Sequence, residues 1–201
     1  MTDVSVIECP GCGFPQSSAS ARNCEQCGNL LIVQSLTFLD GADEKSVRIH
    51  LKNYRARLKD DPDDCASHIG MGICYLTLKL YDRASEELAK AVDLAPESGD
   101  PYYYAALALL QGKRPRVHTH SCIKKVEEML HAAEELDGTK HIHCLLWAAV
   151  KRDYYDFNGM IPRPPSVDEL LSRASQRERN DGELQCLERL LPRECWQGLM
   201  G

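Results

Sequence analysis

Between Cys65 and Ser98 the chain reads CASHIGMGICYLTLKLYDRASEELAKAVDLAPES, two amphipathic helical patterns joined by a tight turn. No other stretch limits the fold as closely. His68, Met71, Gly72 and Tyr75 recur at the three- and four-residue intervals that line one helical face, and Ala84, Leu88 and Ala91 do the same in the second pattern. Tyr81 stands at the turn. Pro96 follows the second pattern, where its ring and missing N–H forbid continuation. Gly72, Ala84 and Ala91 are small, so the two helices are expected to approach closely, with Tyr75, Tyr81 and Leu88 filling the space around the contact.

These residues resemble one tetratricopeptide repeat (TPR), whose W-x2-L-G-x2-Y…A-x3-F…P pattern is met at most marked positions. His68 stands for the tryptophan and Met71 for the leucine; the alternative is an ordinary helical hairpin. A weaker repeat follows, with Tyr102, Ala105, Ala106 and Leu109 in its first helix and Val126, Leu130 and Ala133 in its second. Gly138 takes the place of Pro96, and a loop from Gly112 to Ser121 separates the helices. A third, TPR-like pair is expected at about 141–155 and 167–176, with Ser166 and Glu169 as a capping box after Pro162-Arg163-Pro164-Pro165. Val47, His50, Leu51, Tyr54 and Leu58 mark a helix ahead of the array. Leu184, Leu187, Leu190 and Leu191 mark a short one behind it, stopped by Pro192 and followed by a tail with Trp196, Leu199 and Met200.

The N-terminal segment carries two C-x2-C-G units, Cys9/Cys12 and Cys24/Cys27. Each unit points two thiolates at one centre, and four thiolates suit tetrahedral zinc. β-prone Val4–Ile7 and Leu30–Val33 flank them. The arrangement resembles the short zinc ribbons of form CPxCG…CxxCG. One structural zinc held by Cys9, Cys12, Cys24 and Cys27 is expected, because four cysteines close the coordination shell and leave no catalytic position. Rubredoxin-type iron and a thioredoxin-like redox pair are the alternatives. The fold class is therefore an all-α TPR-like helical repeat array with a small N-terminal β zinc ribbon. Its expected division is ribbon 1–36, linker 37–45, array 46–178, and C-terminal capping helix with tail 179–201.

The charge pattern narrows the partners. Net charge is -6 at pH 7, and Arg22 is the only basic residue up to Glu44, against six acidic ones. Phosphate binding draws on Lys and Arg, so the ribbon reads as a protein-contact module and nucleic acid is disfavoured. Lys113, Arg114 and Arg116 form a basic loop, expected to be solvated. No apolar run approaches the ~20 residues of a membrane span, and the N-terminus lacks the pattern of a secretory signal. Scattered cysteines fit a reducing, cytoplasmic setting.

The TPR resemblance implies that a partner protein or peptide binds along the face built by the first helices. Here that face holds Ile69, Ile73 and Leu76 from one repeat and Tyr103, Leu107 and Leu110 from the next. Such an apolar row is rarely left bare. Either a partner's amphipathic helix covers it or residues 181–200 do. The favoured arrangement packs the C-terminal leucines on the 167–176 helix and leaves the row free. His118, His120 and Cys122 with His141, His143 and Cys144 form a second candidate metal cluster, weighed against ordinary loop and helix roles. No Walker loop, G-x-G-x-x-G or H-E-x-x-H motif occurs, so a non-catalytic adaptor is expected. The rival readings are a nucleic-acid or ribosome-associated zinc-ribbon factor, and a metal- or redox-sensing module.

Overall fold

A computed structural model of the chain describes residues 14, 24–26, 33, 35–197 and 199. Eight α-helices follow one another among them, with no strand. α1 (Glu44–Asp60) starts at Asp43, whose carboxylate accepts the Ser46 amide, and buries Val47, His50, Leu51 and Tyr54. α2 (Cys65–Thr77) is capped in the same way by Asp64, and α3 (Tyr81–Leu94) follows after a short turn. α4 (Gly99–Leu110) and α5 (His120–Leu136) make the second pair. The third pair is α6 (His141–Lys151), prolonged by a π turn over Arg152–Asp156, and α7 (Val167–Ser175) with both bonds of the Ser166/Glu169 capping box formed. α8 (Asp181–Leu190) is capped by Asn180.

From α1 to α7 the helices pack on their neighbours in the chain: α2 on α3, α4 on α5, α6 on α7, with α3–α4 and α5–α6 joining the pairs and α1 closing against α2. The close approach inside the first pair is explicit. A Cβ placed on Gly72 would stand 2.5 Å from Leu88 Cγ, so any side chain there pushes α3 off α2. Ala84, Leu88 and Ala91 have no solvent exposure. Burying Leu88 alone contributes about 2 kcal/mol. The loop between α4 and α5 needs its glycine as well. Gly112 has φ +65°, and a Cβ on it would collide with the Tyr81 hydroxyl.

Both ends of the array are packed against it. Residues 37–39 are not part of a free linker. Leu36–Leu39 form a 3-10 turn that buries Leu36 and Leu39 and packs on α2 and α8, because two leucines facing a row of apolar side chains gain more from burial than from solvation. The C-terminal segment does not leave the first-helix row open. Leu184, Leu187, Leu191, Cys195, Trp196 and Leu199 are all buried in the same core cluster as α2 and α4. The β ribbon expected over residues 1–36 falls outside the described residues, apart from Phe14, Cys24–Gln26, Val33 and the start of the 3-10 turn.

Candidate functional site

The apolar row lies where the TPR pattern puts it, on the first helices of successive pairs, but it is covered. Ile73, Leu76 and Leu110 have no exposure, and Leu107 and Tyr103 retain 2% and 5%; only Ile69 is half-buried. The cover comes from both ends of the array. A Cβ on Gly182 would stand 3.3 Å from Thr37 Cγ2, and one on Gly112 3.2 Å from the Leu190 carbonyl oxygen, so α8 runs from the 36–39 turn to the end of α4. Arg189 pairs with Asp40 across the same junction. The Leu36 amide meets the Tyr104 hydroxyl. Burial, helped by the neighbouring Glu183, pushes both the Tyr103 and Tyr104 phenols well above their ordinary range. The 193–196 turn then reaches α6.

Polar groups mark this junction. Glu183 is half-buried; desolvation raises its carboxyl, and Asp100 and Asp137 add to the shift while Lys140 opposes it. Lys140 itself pairs with Asp100 and, at 3.6 Å, with Asp137. Four buried side-chain nitrogens find no hydrogen-bond partner among the described residues: His141 Nε2, both ring nitrogens of His143, and Trp196 Nε1. His141 has Arg179 and Asp181 as electrostatic neighbours. The His143 ring lies 5.0 Å from that of Tyr103, and burial pushes its pKa down to about 4.

A second concavity of about 650 Å³ opens between α5, α6 and the 160–164 loop, lined in part by Lys124, Trp147, Tyr155, Ile161 and Arg163. Its floor is a buried ion pair. Lys151, 1% exposed, lies 2.7 Å from Glu127 Oε1 and donates to the Arg163 carbonyl at 2.9 Å. Glu127 also accepts from Trp147 Nε1 at 3.2 Å and from the Tyr155 hydroxyl at 2.7 Å. Glu127 is thus satisfied on both oxygens. The rim carries Met160 and Ile161, the latter 94% exposed. Sequence reasoning missed this network. The available signal was a lysine inside HIHCLLWAAVK, an otherwise apolar helix.

The remaining sequence candidates separate. His118 bonds the Leu110 carbonyl at 3.0 Å and lies 3.7 Å from Cys122 Sγ, whereas the His120 ring stacks on Tyr154. Cys144 faces Arg177 and Glu134; burial pushes its thiol up to about 12. The two histidine groups do not converge, and no cluster of three or more His, Cys, Asp or Glu among the described residues could hold a metal. The basic loop is corrected too. Arg114 and Arg116 both clamp Asp153, which also accepts the Arg116 amide at 2.9 Å. Burial would raise that carboxyl, yet the arginine bonds outweigh it and hold it below its ordinary range. Of the zinc ligands, Cys9, Cys12 and Cys27 lie outside the described residues. Cys24 is buried, and the Gln26 amide donates to its sulfur at 3.4 Å.

Three stacked helix pairs, a close contact at Gly72 and an apolar first-helix row make a TPR-like helical repeat fold. Among solved structures, the one described as "Crystal structure of MamA", a TPR-like helical protein, superposes with a TM-score of 0.54 at 17% identity, over 83% of this chain and 86% of that one. The likeness is one of fold. No protein-family model matches the chain, and no curated protein does.

Proposed function

We propose that this protein is a non-catalytic scaffold that binds a partner protein or peptide through the first-helix face of its array. The carrying observation is that the row Ile73, Leu76, Tyr103, Leu107 and Leu110 is built to hold an apolar segment and holds one, α8 with its tail. A structural zinc ribbon over residues 1–36, with Cys9, Cys12, Cys24 and Cys27 as ligands, serves as a second contact module. The burial of Cys24 and its amide-to-sulfur bond fit a zinc knuckle, in which backbone N–H groups stabilise thiolate. The metal would supply folding free energy to a module too small to fold alone. The division into ribbon, array 46–178 and C-terminal segment 179–201 belongs to the same reading, as does a cytoplasmic setting. No helix among the described residues is long and apolar enough to cross a membrane.

The protein-binding reading is preferred over nucleic acid because the two arginines of the basic loop are already spent on Asp153. The test is site-specific photo-crosslinking in the host cell, with a photoreactive residue at Ile69 on the edge of the row and, separately, at Ile161 on the second cleft. A discrete crosslinked protein from Ile69 is expected. Crosslinks to nucleic acid, or to protein from Ile161 alone, would overturn the assignment of the binding face.

A further inference from the structure

α8 and its tail are poorly matched to the face they cover. Burial in a core is normally apolar and fully hydrogen-bonded, yet this junction encloses polar groups that burial disfavours. Glu183 brings a third carboxylate to Lys140, which already pairs with Asp100 and Asp137. Among the described residues Trp196 Nε1 and His141 Nε2 are buried without partners, one within the covering segment and one beside its start. The outer tie, Arg189 to Asp40, is largely exposed and therefore weak. A ten-residue helix is also too short to hold its own structure once undocked. The apolar part of the fit is good by contrast: Leu184, Leu187 and Leu191 are buried at the spacing of one helical face.

We propose that the first-helix face is a docking site for an amphipathic helix of a partner protein, and that α8 is a replaceable occupant of that site. The partner helix carries apolar residues at the spacing of Leu184, Leu187 and Leu191, a neutral residue where α8 has Glu183, and a basic residue in its last turn to meet Asp40. The neutral residue removes the third carboxylate from around Lys140. The basic residue keeps the complement to Asp40. This rests on the scaffold reading and adds to it the chemistry of the partner and the need to displace α8. Apparent affinity is then lowered by the fraction of molecules in which α8 is undocked.

The experiment uses the full chain and a fluorescent synthetic peptide of residues 179–199. Fluorescence anisotropy compares its binding to the wild-type chain and to the full-length Leu187→Glu variant, whose own α8 is released. Binding to the variant is expected to be at least tenfold tighter. A peptide with Glu183→Gln is expected to bind the variant at least threefold tighter than the unaltered peptide, and one with Arg189→Glu at least threefold weaker at low salt. Equal binding to both chains, or a Gln peptide that binds no better, overturns the proposal. Hydrogen exchange on the wild-type chain guards against a variant that fails to fold. Amides of α8 are expected to exchange at least a hundredfold faster than those of α2 and α4. If they exchange only with global unfolding, α8 is core and the proposal falls. A peptide result in its favour with no crosslinked partner from Ile69 would instead count against the scaffold reading alone.

Discussion

The Lys151–Glu127 pair offers the sharpest energetic prediction. The Lys151 side chain is 2% exposed and the Glu127 side chain 15%, so the charges share an enclosed site over Trp147 and Tyr155. Glu127→Gln keeps an oxygen for Tyr155 or Trp147 but leaves the ammonium without a counter-charge. Breaking a buried pair in this way costs roughly 3–5 kcal/mol, and retention of the Arg163 carbonyl places this case near 3. Lys151→Met leaves a carboxylate that keeps two donors and some water, so about 1–2 kcal/mol is expected. The double variant removes both charges and should lose only about 1 kcal/mol. The coupling is therefore about 3–4 kcal/mol, opposite in sign to the single losses. Urea melts followed by circular dichroism read these values. In thermal melts Glu127→Gln should lower Tm by roughly 6–12 °C for a chain of this size. If the single losses add in the double variant, the charges do not interact and the buried-pair account is wrong.

His143 makes stability depend on pH. Its folded pKa of about 4 lies below its unfolded value near 6.5, so the unfolded chain takes up the proton first. Stability falls as pH drops from 6.5 toward 4, by about 3 kcal/mol across the window, and His143→Phe should remove most of that loss between pH 7 and 4.5 in urea melts; an unchanged pH slope refutes the assignment. Elemental analysis should find one zinc per chain, lost in Cys9→Ser with Cys24→Ser, and a metal that survives both changes sinks the four-cysteine site. At physiological salt a mobility-shift assay should detect no specific nucleic-acid complex, and a salt-resistant sub-micromolar one would reverse the ranking of partners.

The helix pairs were legible because their signals are local. Gly72, Ala84 and Ala91 report a close helix contact, and the Ser166/Glu169 spacing reports a helix start with no knowledge of the tertiary fold. The destination of α8 was not legible. Its leucine face fits any apolar surface, and nothing within 181–191 distinguishes α7 from the row on α2 and α4. The same holds for Leu36 and Leu39, which look like the end of a ribbon until their partner face is known. Arg114 and Arg116 read as solvated because their acceptor, Asp153, is remote in sequence and sits in a π turn that helical periodicity does not foresee. The row lies on α2 and α4, and whether it is open depends on contacts that no local pattern encodes.

The central claim, that the first-helix face is covered by the chain's own C-terminal segment, is tested most directly by native thiol labelling read by mass spectrometry. Cys186 and Cys195 lie in the covering segment and are buried, while Cys65 and Cys122 are half-buried and Cys74 and Cys144 are fully enclosed within the array. Burial also pushes the Cys195 thiol up to about 11, which slows its reaction further. A brief exposure of the full chain to N-ethylmaleimide should modify Cys65 and Cys122 first, Cys186 and Cys195 at least tenfold more slowly, and Cys74 and Cys144 last. Labelling of Cys186 and Cys195 at the rate of an unprotected thiol would mean that the segment is not docked, and would contradict the account.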